Sequence, residues 1–120
     1  MNIYEAEKVV TCSLIKQGAF CRTETVIPGI NNIIVTWKST LWRIVVRIIN
    51  KDKDLSSCWP TEEEINIFQN KAKANNQTIV IAFVNPSNSI EYRIYEDRRV
   101  IRPRCITKVK KANDLIKVYN

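Results

Sequence analysis

Ile3, Ala6, Val10 and Leu14 recur at helical spacing until Gly18, and Asn2 followed by Glu5 fits an N-cap with an answering acid three residues on. The pattern predicts a helix over residues 3–17. From Ala19 to Ile27 a Thr- and Val-containing stretch predicts a strand closed by Pro28-Gly29, which is turn chemistry. Asn32 to Trp37 and Leu41 to Ile49 are β-branched, aromatic-containing runs joined by Lys38-Ser39-Thr40, the pattern of a hairpin. After a polar, charged stretch, Pro60-Thr61-Glu62-Glu63-Glu64 marks a second helix start. Thr61 is placed to cap, Glu64 to reach back, and the acids suit the positive helix N-terminus. Ile65, Phe68 and Ala72 give that helix a core-facing stripe, ending near Asn75-Asn76.

Thr78 to Val84 is apolar on both alternating faces, as a central strand covered on two sides requires. Pro86-Ser87-Asn88 turns the chain into Ile90 to Glu96, whose alternation of apolar and polar residues predicts an outer strand. Arg98, Arg99, Arg102 and Arg104 then decorate a Pro-containing connection. Ile106, Val109, Ala112, Ile116 and Tyr119 are spaced as the stripe of a C-terminal helix, with Lys108, Lys110, Lys111 and Lys117 on its other face. The predicted order is α-β-β-β-α-β-β plus that helix: one α/β domain over residues 1–120 with a mixed central sheet, and no internal repeat.

Composition changes this picture in three places. At 120 residues and 45% hydrophobic composition a single core is expected. No run approaches the roughly 18 apolar residues of a membrane span, so the expectation is a soluble, cytoplasmic protein that does not engage membranes. The formal charge is +7, but residues 1–97 hold 11 Lys/Arg and 11 Asp/Glu, whereas residues 98–120 hold 8 Lys/Arg against the single Asp114. The whole excess therefore sits in a basic C-terminal segment, the footprint either of phosphate contacts or of a solvated tail. Finally, there is no histidine, which removes every His-based triad and His general base. Cys12, Cys21, Cys58 and Cys105 form no C-x-x-C pair, so buried free thiols are expected rather than zinc, with a Cys12–Cys21 disulfide the open alternative.

A helix with an early Glu, a Gly shortly before an acid at a strand start, a following strand with Glu-x-Lys, then a helix and a central strand describe the PD-(D/E)XK nucleases. The chain resembles the archaeal Holliday-junction resolvases among them over roughly residues 3–96. Glu7 sits in the first helix, GINNIIV (29–35) looks like their Gly-x-x-Asp-apolar-apolar segment, and IVVRIINKDK (44–53) looks like their Ile-Glu-Val-Lys strand. The resemblance implies a restriction-endonuclease-like core. Residues 78–96, followed by Ile101-Arg102-Pro103, are also similar to the end of archaeal tRNA-splicing endonucleases, which implies a non-catalytic structural subunit because the His of their catalytic set is missing.

Matched by position, the family's metal-binding Asp becomes Asn32, its metal-binding Glu becomes Val45 and its catalytic Lys becomes Arg47. Strand alternation puts Arg43, Val45 and Arg47 on one face. A magnesium site needs carboxylate oxygens that Asn32 and Val45 do not offer, and Arg47 is a poor base but a good phosphate ligand. The expectation is therefore a protein without metal or cofactor that binds nucleic acid without cutting it, branched or duplex DNA before RNA, and forms a homodimer. Lys38, Arg43 and Arg47 would line the former active-site face, extended by Arg98, Arg99, Arg102, Arg104, Lys108 and Lys111. Trp37, Trp42 and Trp59 are expected in the core or an interface rather than as base-stacking platforms. Two alternatives remain: an active nuclease using displaced acids such as Glu7, Glu24 or Glu91, and a protein-binding scaffold or regulatory subunit. Glu62, Glu63 and Glu64 are assigned to helix-start chemistry and not to a site.

Overall fold

The computed structural model describes residues 1–49, 59–95 and, as backbone, 105–109. Helix α1 (Ile3–Lys16) starts where the Asn2 side chain accepts the Glu5 N–H at 2.8 Å. It ends in a Schellman motif, with Gly18 N–H donating to the Ile15 carbonyl (2.9 Å) and Ala19 N–H to the Leu14 carbonyl (3.0 Å). That closure needs φ +94° at residue 18, which glycine adopts without penalty. The chain reverses directly into β1 (Phe20–Ile27), followed by β2 (Ile30–Trp37) and β3 (Thr40–Ile48). The β2–β3 link is a two-residue turn in which Lys38 (φ 48°) and Ser39 (φ 68°) both have positive φ, the requirement of a type I′ hairpin met without Asn or Gly.

Helix α2 (Glu62–Ala74) opens with the expected capping box. Glu64 N–H donates to Thr61 Oγ1, and Thr61 N–H donates to the Glu64 carboxylate. It closes in a second Schellman motif, Gln77 N–H to the Ala72 carbonyl at 2.8 Å, with Asn76 supplying the left-handed residue at φ 54°. β4 (Thr78–Val84), β5 (Ile90–Tyr95) and β6 (Cys105–Val109) complete one six-stranded sheet in sequence order, antiparallel throughout except for β3 against β4, which α2 joins in parallel.

Two layers of side chains flank the sheet. Ala6, Val10 and Leu14 of α1 meet Ile33, Val35, Trp37, Trp42, Ile44, Val46, Val80, Ala82, Val84, Tyr92 and Ile94 on one face. Ile65, Phe68 and Ala72 of α2 meet Val45, Ile79 and Tyr95 on the other. Trp37 and Trp42 are buried edge-to-face at 5.9 Å, and half-buried Trp59 meets Phe83 in the same manner at 6.0 Å. The mixed α/β character and the central position of residues 78–84 follow the pattern in the sequence.

Two expectations are corrected. Residues 105–109 do not begin a C-terminal helix; they pair antiparallel with β5 as β6. Ile106 and Val109 fit a helical stripe, but Cys-Ile-Thr-Lys-Val is equally a β-branched alternating segment, and β5 offers its unpaired backbone groups to it. Ala112, Ile116 and Tyr119 lie outside the described residues. Consequently β5 is not an outer strand, and Tyr92 and Ile94 are almost fully buried. Cys12 and Cys21 are free thiols, as expected, but neither is fully buried: Cys12 is exposed and Cys21 half-buried.

Candidate nucleic-acid interface

Alternation along β3 sends Arg43, Val45 and Arg47 to one face, as the sequence predicts; α2 covers that face, and Asn32 of β2 joins them there. The face is closed. Arg43 is only 1% exposed, so it is no phosphate contact. Its Nε donates to Gln77 Oε1 at 2.9 Å, and its Nη1 donates to Glu24 Oε1 at 3.0 Å and to Asn32 Oδ1 at 2.9 Å. Lys71 Nζ reaches the same Glu24 oxygen at 3.5 Å, and Arg22 lies 3.6 Å from the other. One guanidinium thus ties β1, β2, β3 and the exit of α2 together. The hydrogen bond from Arg43, helped by the charges of Arg43 and Lys71, holds the Glu24 carboxyl below its ordinary range against the opposing effect of burial.

The remaining family positions are also occupied. Val45 is buried beneath α2 with Phe68 and Ile65. Arg47 Nη2 donates to Glu64 Oε2 at 2.7 Å, so its guanidinium, 22% exposed, already holds a carboxylate partner. Burial pushes the Glu64 carboxyl up, but the Thr61 N–H and the Arg47 guanidinium outweigh it, and the net direction is down. Glu7 lies on the opposite, α1 face, where it accepts a long 3.5 Å hydrogen bond from Asn31 Nδ2. Burial raises its pKa, with Asn31 opposing. The sheet therefore separates the helix acid from Asn32, Val45 and Arg47. The displaced acids do not converge either: Glu7 is on one face, Glu24 is held by Arg43, and Glu91 pairs with Arg93 at 3.5 Å. Among the described residues no three His, Cys, Asp or Glu side chains gather.

Lys38 is not on this face but exposed at the β2–β3 turn, its Nζ 5.6 Å from the Trp37 ring centroid. Its surroundings show what the linear charge count hides. Both helices run toward the same end of the sheet, the end holding the start of β1, β3 and β4 and the β2–β3 turn. Lys16, Lys71 and Lys73 stand in the last helical turns there, beside Arg22 and Lys38. Glu24, already engaged by Arg43, is the acid that Arg22 and Lys71 reach. The opposite end carries Glu5 in the first turn of α1 and Glu62, Glu63 and Glu64 in the first turn of α2. Among the described residues, the cations that end the two helices thus stand at one end of the sheet and the acids that begin them at the other.

Tyr95 and Cys105, which flank residues 96–104, are register partners at the basic end. Arg98, Arg99, Arg102, Arg104 and Lys111 lie outside the described residues; Lys108 stands opposite Arg93 in β6. A cleft of about 210 Å³ opens at this end between α2 and the ends of β4 and β5, lined in part by Gln69, Lys73, Gln77, Thr78 and Tyr95. Gln69 Nε2 donates to the Tyr95 hydroxyl across it at 3.3 Å. Sequence reasoning missed this cleft; the i, i+4 spacing of Gln69 and Lys73 beside the apolar stripe was the signal available. Among the described residues no helix is long and apolar enough to cross a membrane. No protein-family model matches the chain, and no curated protein matches it.

Proposed function

We propose that this protein is a non-catalytic nucleic-acid-binding domain with a nuclease-like core, which holds the phosphate backbone of branched or duplex DNA, with RNA second, at the basic end of its sheet. The observation that carries this is the sorting of charge. Lys16, Arg22, Lys38, Lys71 and Lys73 stand at the end where β5 leaves for the segment holding Arg98, Arg99, Arg102 and Arg104, and the helix-start acids Glu5, Glu62, Glu63 and Glu64 stand at the far end. Both helices aim their negative C-terminal dipoles at this surface, and the lysines in their last turns offset that field. Such a surface engages phosphates by counterion release, without reading sequence.

The absence of cleavage follows from the side chains at the family positions. Phosphodiester cleavage by a metal-dependent nuclease requires carboxylates to hold a cation that activates water. Here the Asn32 oxygen accepts from Arg43, Val45 offers no oxygen, and Arg47 is held by Glu64. The order αβββαβ with a parallel β3–β4 pair supports the resolvase resemblance at the level of chain order.

The test is a gel-shift series with single-stranded, duplex and four-way DNA at two salt concentrations, with magnesium present to detect cleavage. Binding is expected to weaken steeply with salt. Charge reversal at Lys16, Lys38 and Lys73, or at Arg98, Arg99, Arg102 and Arg104, should lower the log–log slope by up to about 0.9 per lost contact on duplex DNA. Salt-insensitive binding, or cleavage unaffected by Arg47→Ala, overturns the proposal.

A further inference from the structure

β1 is an edge strand, hydrogen-bonded to β2 on one side alone among the described residues. Its exposed side chains are unusual for an edge left in water. Phe20 is 79% exposed, the most exposed of the large hydrophobic side chains among the described residues, and Arg22 is 62% exposed beside it. Natural edges are usually blunted by charge, proline or a bulge, and here the bulge sits only at the far end, between Thr25 and Ile27. Phe20, Arg22, Glu24 and Val26 alternate along the α2 face in the order apolar, positive, negative, apolar.

From this order we infer that β1 pairs antiparallel with β1 of a second copy of this chain, about a two-fold axis at Thr23. In that register Arg22 lies opposite Glu24 of the second copy and Glu24 opposite its Arg22, while Phe20 comes against the bulge at its Val26, which already leans on the α2 core. Both ion pairs and both apolar pairs are satisfied at once, as a two-fold interface requires. The neighbouring registers that keep the same faces aligned fail. A shift of the axis to Arg22 sets Arg22 against Arg22, and a shift to Glu24 sets Glu24 against Glu24. The opposite face is neutral: Thr23 meets Thr23, and Cys21 meets Thr25. The two sheets become one, and the unpaired backbone groups of both edges are satisfied. The surface runs along the sheet edge from the basic end and shares Arg22 with the proposed phosphate-binding surface, so association is measured without nucleic acid.

Sedimentation of the full chain across a concentration range, together with two variants, tests this. The natural chain is expected to dimerise. Arg22→Glu, which gives each dimer two like-charge contacts, should weaken association on the order of tenfold. Circular dichroism confirms that the fold survives, since Arg22 is exposed. Thr23→Cys places two thiols across the axis at a Cα separation within disulfide range. Mild oxidation should then yield a covalent dimer, with peptide mapping finding position 23 joined to position 23 of the other copy. A natural chain that stays monomeric throughout overturns the inference. So does a dimer that Arg22→Glu leaves unchanged, or one in which Thr23→Cys fails to cross-link at that position.

Discussion

The two faces of the sheet are built from the same strands yet do different work. Under α1 the contacts are almost wholly apolar, with Trp42, Ile44 and Val46 of β3 filling one continuous cluster. Under α2 the alternate residues of the same strand are Arg43, Val45 and Arg47, and the apolar cluster is smaller and bordered by ion pairs. Burial of apolar area stabilises without direction, whereas a buried guanidinium tolerates only the arrangement that satisfies its donors. The α1 face therefore supplies adhesion. The α2 face fixes which groups of β1, β2, β3 and the α2–β4 connection stand together.

The sharpest break is Arg43→Ala, which strips partners from Asn32 and Gln77 and leaves Glu24 to Lys71 and Arg22. It should cost about 3–5 kcal/mol in denaturant unfolding. Arg43→Met combined with Glu24→Gln should recover most of that, because an apolar side chain of similar length no longer faces a carboxylate. A double variant as unstable as the single one would show that shape rather than charge holds this face. On the other face Leu14→Ala should cost about 2–5 kcal/mol, and no polar substitution should rescue it.

Acid titration separates the faces by sign. Glu24 and Glu64, on the α2 side, have folded pKa values below the ordinary carboxylate value. Their contribution is present above the unfolded pKa and is lost as pH falls through the folded one. Glu7, on the α1 side, has a raised pKa. Its contribution is present below the unfolded pKa and is lost as pH rises through the folded one, so at neutral pH its carboxylate opposes folding. Glu7→Gln should therefore raise the melting temperature at pH 7 and leave it little changed at low pH, whereas Glu64→Gln should lower it at pH 7. The same sign for both variants at pH 7 would contradict the division.

The smallest effect belongs to the β2–β3 turn. Replacing Lys38 and Ser39 with Asn and Gly puts residues that adopt positive φ readily at both turn positions and should stabilise by roughly 0.4–1 kcal/mol. Loss of nucleic-acid affinity in the same variant would place Lys38 among the phosphate contacts.

Both helices, their caps, the β2–β3 hairpin and the central β4 are legible in the sequence, because each is written in local periodicity and in capping residues that act within a few positions. Alternation also places Arg43, Val45 and Arg47 on one face. β6 was not legible. Five residues compatible with two periods are decided by the vacant edge of β5, which is remote in the chain. The closure of the candidate pocket was equally hidden. Nothing local says that Glu24 of β1 and Gln77 after α2 converge on Arg43, that Lys71 joins them at Glu24, or that Arg47 meets Glu64. The sequence by itself determined where helices and strands begin and which side chains share a strand face, since those depend on near neighbours. Only the tertiary structure decided that α2 would cover the face bearing the arginines and that the lysines ending both helices would stand at one end of the sheet with the acids that begin them at the other. Both depend on the parallel β3–α2–β4 connection and the common direction of the two helices, which bring together charges that lie far apart along the chain.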